Sequence, residues 1–185
     1  KYEEYLTSNQ YLDFDDLMLK AVEILKTYPK VQAKWKERYE HILVDEFQDT
    51  NDIQYELLTL LLGEHCSLFV VGDPDQTIYT WRGANVDLIM DFKKRFKPSR
   101  DIVLNQNYRS TPQILQCANF LIDKNEMRLK KDLFTLAANG TEVYHYHSKS
   151  DNEETAIISD TIKKLVKSQK YKYSDIAILY RSSFL

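Results

Sequence analysis

The feature that most restricts the fold of this chain is a short, continuous apolar run that ends abruptly in polar residues. The pattern occurs three times, at residues 42–44, 68–71 and 102–104. The residues that follow the three runs are Asp45-Glu46, Gly72-Asp73 and Asn105-Gln106. Unbroken apolar runs, unlike alternating ones, are typical of strands that are buried on both faces of a parallel sheet. We therefore expect three such strands, each ending in a polar loop.

Helical patterns alternate with these runs. Capping residues at 49–51, 111–112 and 151–154 each precede a segment in which apolar residues recur at helical spacing. Two further apolar runs, 143–147 and 176–180, are predicted to be strands that flank the last helix. Strands that alternate with helices indicate the α/β class, with a parallel sheet and flanking helices.

The composition is that of a globular protein. Hydrophobic residues make up 43% and charged residues 29% of the 185 residues, which excludes a disordered or collagen-like chain. No apolar run approaches the roughly 20 residues that span a bilayer, so no membrane partner is expected. The two cysteines have no zinc or disulfide spacing, and a reducing, cytoplasmic location is the expectation. Because the chain has no initiator Met and stops inside a predicted strand, it reads as a piece of a longer protein.

Ligands of α/β sheets bind beyond the carboxyl ends of the strands, where side chains leave the buried ladder. A pair of carboxylates such as Asp45 and Glu46 can hold Mg²⁺ there through water and leave one carboxylate free to act as a base. Adjacent acids also occur simply as markers of a strand end, and the pair alone does not decide between these interpretations.

Three longer strings carry a family resemblance. They are ILVDEFQDTN at 42–51, VGDPDQTIYTWRGA at 71–84 and LNQNYRST at 104–111. In order and spacing they resemble motifs II, III and IV of the UvrD/PcrA/Rep group of superfamily 1 DNA helicases. DFDDL at 13–17 is similar to the aspartate-rich segment that precedes motif II in that group, and ILYRS at 178–182 is similar to the start of motif IVa. The aspartates at 13–17 could equally be helix-capping acids.

The resemblance implies a RecA-like fold of the P-loop NTPase type and parts of two motor domains. Residues 1–12 would be the tail of an inserted helical subdomain, 13–103 the C-terminal part of the first motor domain, and 104–185 the N-terminal part of the second. The implied parent is an ATP-dependent helicase that moves 3′ to 5′ on single-stranded DNA and acts at single-strand/duplex junctions. DNA repair and replication are the processes that the resemblance suggests.

The resemblance also implies roles in ATP hydrolysis for residues that match its motifs. Asp45 would organise Mg²⁺ together with Glu46, and Glu46 would activate the attacking water. Gln76 would sense the γ-phosphate of ATP. Tyr108 would stack near the adenine, and Arg109 would act as an arginine finger. The alternative for Arg109 is an ion pair with an acid at the domain junction.

A second set of matched residues would contact DNA. Trp81 and Tyr79 are similar to the aromatics that meet unstacked bases, which suits binding without sequence preference because every base has a π face. Arg82 would couple that contact to the nucleotide. The alternative for both aromatic rings is packing in the core.

The sequence departs from the family pattern in two respects. Thr77 stands where Ser is usual, and no Gly-x-x-x-x-Gly-Lys-Ser/Thr phosphate loop occurs. The chain alone is therefore expected to be inactive as an ATPase. Other classes remain open: the motor subunit of an AddA/RecB-like helicase-nuclease, a non-catalytic RecA-like DNA-binding module, or, less favoured, a metal nuclease built from the acids Asp45, Glu46, Asp73 and Asp75.

Overall fold

The computed structural model describes residues 1–125 and 128–180. Ten helical and strand segments precede residue 168: α1 (Tyr2–Asn9), α2 (Phe14–Thr27), α3 (Pro29–Arg38), β1 (His41–Val44), α4 (Asp52–Leu61), β2 (Ser67–Val70), α5 (Asp87–Met90), α6 (Phe92–Arg95), α7 (Pro112–Ile122) and α8 (Asp151–Lys167). Short 3-10 turns lie at Phe47–Asp49, Pro74–Gln76, Thr80–Arg82 and Tyr173–Asp175. The chain divides into two compact units, Lys1–Gly140 and Thr141–Leu185, and α8 belongs to the second.

The sheet of the first unit contains β1 and β2, which pair in parallel. The register joins His41 to Ser67 and Val44 to Val70. Helix α4 connects the two strands, because parallel strands need a crossover and cannot be joined by a hairpin. The α/β class and these two predicted strands are therefore confirmed.

The prediction that these strands are buried on both faces is wrong. Side chains alternate between the faces of a strand, and only one face of this pair packs against the core. Leu43 is 72% exposed and Phe69 56% exposed on the other face. No segment of the described chain covers them, so the continuous apolar pattern is buried on one face only.

The packed face of the sheet rests on a small core. Phe47 is fully buried, and Leu58 of α4 and Leu88 of α5 complete the buried cluster. Phe92 meets Phe47 edge to face, with ring centroids 5.9 Å apart. The residue that directly follows Glu46 is thus an anchor of the core, which fixes the backbone on which the strand-end acids stand.

Helix α4 begins with the predicted side-chain cap, whereas the predicted cap of α7, Thr111, makes no side-chain capping hydrogen bond. Asn51 accepts from the Gln54 amide at 2.9 Å, and the Gln54 side chain accepts from the Asn51 amide at 3.0 Å, which forms a capping box at α4. Asp13 makes the same kind of box with Asp16 at α2, so these acids do cap a helix. Helix α7 begins at Pro112 as predicted, and Ser150 caps α8, one residue before the predicted acidic start.

The other three predicted strands are not strands in the described part of the chain. Residues 102–104, 143–147 and 176–180 are extended or irregular, and their large apolar side chains are mostly exposed. A strand needs a neighbour to pair its N–H and C=O groups, and none of these runs has one. Near the first run, only an isolated bridge joins Gln106 to Phe134. Residues 181–182 of the string at 178–182 lie outside the described residues.

No helix within residues 1–125 and 128–180 combines the length and apolarity needed to cross a membrane.

Candidate functional site

The two acids predicted at the end of β1 stand on a sharply turned backbone. Glu46 adopts the left-handed region, at φ 50° and ψ 41°, which for a non-glycine residue costs about 1–3 kcal/mol. The Glu46 N–H donates to Oδ1 of Asp45 at 2.9 Å. Both side chains are exposed. The turn thus presents two carboxylates to solvent from a backbone held by the buried Phe47.

Gln48 joins the ends of the two strands, a role that sequence reasoning missed. Its side chain is buried, with the residue 1% exposed. Its Nε2 donates to Oε2 of Glu46 at 2.8 Å, and its Oε1 accepts from the Asp73 N–H at 3.0 Å. A Cβ at Gly72 would lie 2.6 Å from the same Oε1, so only glycine leaves room for the bridge. Gly72, the residue directly before Asp73, was the sequence signal that could have indicated this bridge.

The loop after β2 holds Gln76 through Asp73. Asp73 Oδ1 accepts from the Asp75 N–H at 3.0 Å, and Oδ2 accepts from Nε2 of Gln76 at 2.8 Å. Lys131 also donates to Oδ1. Burial opposes ionisation of Asp73, but hydrogen bonds from Lys131 and Gln76 outweigh it, and the pKa of Asp73 lies below its ordinary value.

Asp75 lies in the same cluster and is nearly buried. Its side chain is 7% exposed, and its Oδ2 lies 3.6 Å from Nζ of Lys131 and 3.8 Å from Nε of Arg128. Arg128 also pairs with Asp123. Asp73 and Asp75 are therefore neutralised by cations. Among the described residues there is no group of three or more His, Cys, Asp or Glu that could hold a metal.

The aromatic residues predicted to meet DNA lie on the surface of the described chain. Trp81 is 71% exposed and Tyr79 37% exposed, so the core interpretation fails for Trp81. The guanidinium of Arg82 lies 4.5 Å from the Trp81 ring centroid and 5.1 Å from that of Tyr79. Cation–π contact with both rings holds the three side chains as one exposed cluster.

This aromatic cluster is tied to the loop after β1. Ala84 bridges to Asn51, and the Asn85 N–H donates to the Thr50 carbonyl at 2.9 Å. Gly83 adopts φ 84°, a left-handed conformation that glycine takes without strain and that ends the Thr80–Arg82 turn. The loops that follow β1 and β2 are therefore connected by backbone as well as by Gln48.

Tyr108 and Arg109 are brought to the surface but not to the strand-end acids. Tyr108 is 85% exposed, and Asn107 Oδ1 accepts from the N–H groups of Arg109 and Ser110 at 2.9 and 2.7 Å. In residues 1–125 and 128–180, no hydrogen bond or ion pair joins Tyr108 or Arg109 to Asp45, Glu46 or Gln76. The Arg109 guanidinium also forms no ion pair there.

A comparison with family models decides the relationship of the chain. Residues 1–97 match the model described as the UvrD/REP helicase N-terminal domain, and residues 102–184 match the model described as the UvrD-like helicase C-terminal domain. The chain belongs to the UvrD/REP helicase family. The two models meet inside the described first unit, between β2 and α7.

Curated relatives agree with this UvrD/REP assignment. A protein of Mycoplasma capricolum subsp. capricolum named "Probable DNA helicase II homolog" is 46% identical over 97% of this chain and 25% of its own length. The "ATP-dependent DNA helicase PcrA" of Leuconostoc citreum is 39% identical over 98% of the chain and 24% of its own length, and that of Staphylococcus aureus 40% over 98% and 25%. The chain thus spans about a quarter of the length of these relatives.

A cavity of about 300 Å³ adjoins the acids of this UvrD/REP chain. Its lining includes Asp45, Glu46, Asp49 and Gln54, and the buried Oδ1 of Asp49 has no hydrogen-bond partner within the described residues. Mg²⁺ in nucleotide sites takes one or two carboxylates and fills its other positions with water and phosphate oxygens. Two exposed carboxylates beside an open cavity fit that donor set.

Proposed function

We propose that this chain is the part of a UvrD-type helicase motor that couples Mg·ATP hydrolysis to 3′-to-5′ movement on single-stranded DNA. One observation carries the proposal. Glu46 and Gln76 are joined through Gln48 and Asp73, and the loop that holds Gln76 continues directly into the exposed Trp81 cluster. A group that acts on a nucleotide and a group that stacks on bases are thereby linked within one connected segment.

The roles at the nucleotide are those that the family resemblance implies, and the chemistry of the side chains suits them. Asp45 and Glu46 would hold Mg²⁺, which neutralises the charge of the phosphates when it is bound. Glu46, an exposed carboxylate, can accept a proton from the attacking water. Gln76 can hydrogen-bond a phosphate oxygen or the water through its exposed amide. Arg109 would meet the γ-phosphate, and Tyr108 would stack on the adenine.

The 185 residues supply only part of an ATP site. They contain no phosphate loop, whose backbone N–H groups cradle the β- and γ-phosphates. We infer that the loop is contributed by other parts of the full-length helicase. The chain would then comprise the tail of an inserted helical subdomain at 1–12, the C-terminal part of the first RecA-like motor domain at 13–103 and the N-terminal part of the second at 104–185, and would not hydrolyse ATP alone.

The DNA-binding role of this region follows from the exposed aromatic cluster. Base stacking on an aromatic ring contributes about 1–3 kcal/mol and tolerates any sequence. The substrate would be single-stranded DNA and its junctions with duplex, as in repair and replication. Arg82, held against both rings, would transmit the contact toward the loop of Gln76.

Replacing Trp81 by Ala in a full-length helicase that contains this sequence tests the proposal. Because one base stack is lost, the single-stranded DNA concentration that half-activates ATP hydrolysis should rise about 5- to 150-fold, equally for different base sequences. The measurement is phosphate release across a DNA titration. The maximal rate of ATP hydrolysis should change by a much smaller factor than this half-activating DNA concentration.

Trp35→Ala is the matched control, since Trp35 of α3 stacks on Tyr39 at 6.0 Å and is remote in sequence from the motif. It should leave the DNA dependence unchanged. An early thermal melt of Trp81→Ala with normal DNA dependence would show that the ring stabilises the fold instead, and would remove it from the DNA site.

A further inference from the structure

We propose that Lys131 is a positioning residue that orients the Gln76 amide through the carboxylate of Asp73. The inference rests on the proposed function, because it takes Gln76 as the group that senses the nucleotide. It adds a cation that lies outside the motif strings at 42–51, 71–84 and 104–111, in the stretch that follows α7. Lys131 contacts none of the reacting atoms and acts only through Asp73.

The two carboxylate oxygens of Asp73 accept hydrogen bonds from different partners. Oδ1 accepts from Lys131 and from the Asp75 N–H, whereas Oδ2 accepts from Nε2 of Gln76 at 2.8 Å. A carboxylate held on one side by an ammonium group and an amide cannot rotate freely about its χ2 angle. Its other oxygen is therefore fixed in direction, and the amide of Gln76 is fixed with it.

Burial strengthens the ion pair between Lys131 and Asp73. The side chains of Asp73 and Lys131 are 22% and 14% exposed, so the ion pair is largely removed from solvent screening. Asp75 and Arg128 are closer still to full burial, and together the four side chains balance two negative and two positive charges. Without Lys131, Arg128 would be the remaining cation of this four-residue cluster. The Asp73 carboxylate could then turn toward water.

The contact also joins the two family domains. Asp73 and Gln76 lie in the residues matched by the N-terminal model, and Lys131 lies in those matched by the C-terminal model. The Phe134 carbonyl accepts from the Asn107 N–H at 2.7 Å, so the same stretch is attached to the segment that carries Arg109. A displacement of this stretch would change the orientation of Gln76. Lys131 thus provides a physical route by which the second domain adjusts a nucleotide-facing residue of the first.

The test compares Lys131→Ala with Lys131→Arg and the control Lys130→Ala in a full-length helicase that contains this sequence. Lys130 is an exposed neighbour of the same charge. Loss of one charge-assisted hydrogen bond should lower the kcat of DNA-stimulated ATP hydrolysis about tenfold or more. The KM for ATP and the affinity for single-stranded DNA should change less than about twofold. Lys131→Arg should recover much of kcat, and Lys130→Ala should be unchanged.

A double-mutant cycle with Gln76→Ala distinguishes positioning from stability. If Lys131 acts through Gln76, adding Lys131→Ala to Gln76→Ala should lower kcat by less than about twofold. Additive losses, or a lower melting temperature with normal kcat for Lys131→Ala, would overturn the inference. Normal kcat for Gln76→Ala itself would instead contradict the assignment of Gln76 in the proposed function, and the inference would fall with it.

Discussion

Glu46→Gln in a full-length helicase that contains this sequence is expected to abolish ATP hydrolysis while Mg·ATP still binds. The amide has almost the shape of the carboxylate and its oxygen can still accept from Gln48 Nε2, so the turn after β1 should be retained. It cannot take a proton from the attacking water, and loss of a general base costs about 10²–10⁴ in rate. Single-turnover phosphate release and a nucleotide-binding titration measure the two properties separately.

Glu64→Gln is a suitable control because Glu64 is exposed in the loop between α4 and β2. It should hydrolyse ATP normally. Asp45→Asn should differ from both by weakening the binding of Mg²⁺, so that a higher Mg²⁺ concentration is needed, since it removes a ligand rather than the base. Hydrolysis at the normal rate by Glu46→Gln would show that another group is the base.

Arg109→Lys is expected to lower kcat by about 10³–10⁵, the range that arginine fingers contribute in phosphoryl transfer. A guanidinium can meet two phosphate oxygens in parallel, a geometry that an ammonium group cannot reproduce. Since charge on the γ-phosphoryl group develops in the transition state, ATP affinity should fall far less than kcat. Steady-state kinetics together with ATP binding in the absence of hydrolysis measures this difference.

Arg109 is exposed on the surface of the described chain. Its backbone is fixed by the side chain of Asn107, whereas its guanidinium has no ion-pair partner in residues 1–125 and 128–180. Arg100→Lys, at another exposed arginine, is the matched control and should be neutral. A less stable Arg109→Lys protein with near-normal kcat would mean that the residue supports the fold.

The parts of the fold that follow local rules could be predicted from the sequence. Strand β1 ends at Val44 and β2 at Val70, at or next to the point where each apolar run gives way to polar residues, and α4 begins after Asn51 because its side chain caps the helix. The run at 102–104 has the same apolar pattern but is not a strand. Strand formation depends on a pairing neighbour, which no local pattern specifies.

In the candidate site, too, local features could be predicted from the sequence and long-range contacts could not. The motif strings identified Glu46 and Gln76 individually, but not the buried Gln48 that connects their loops or the ion pair between Asp73 and Lys131. The first connection depends on the distance between two strand ends. The second joins residues 58 positions apart in the chain. Such contacts arise from tertiary packing, and the periodicity and spacing of the sequence do not specify them.

We propose that these residues belong to a motor driven by ATP along single-stranded DNA from 3′ to 5′. Strand displacement by a full-length helicase that contains this sequence, on duplexes with either a 3′ or a 5′ single-stranded tail, tests it most directly. We expect unwinding of the 3′-tailed duplex that requires ATP and Mg²⁺ and disappears in Glu46→Gln. Equal unwinding from both tails, or DNA binding with no ATP-dependent unwinding of either, would contradict it.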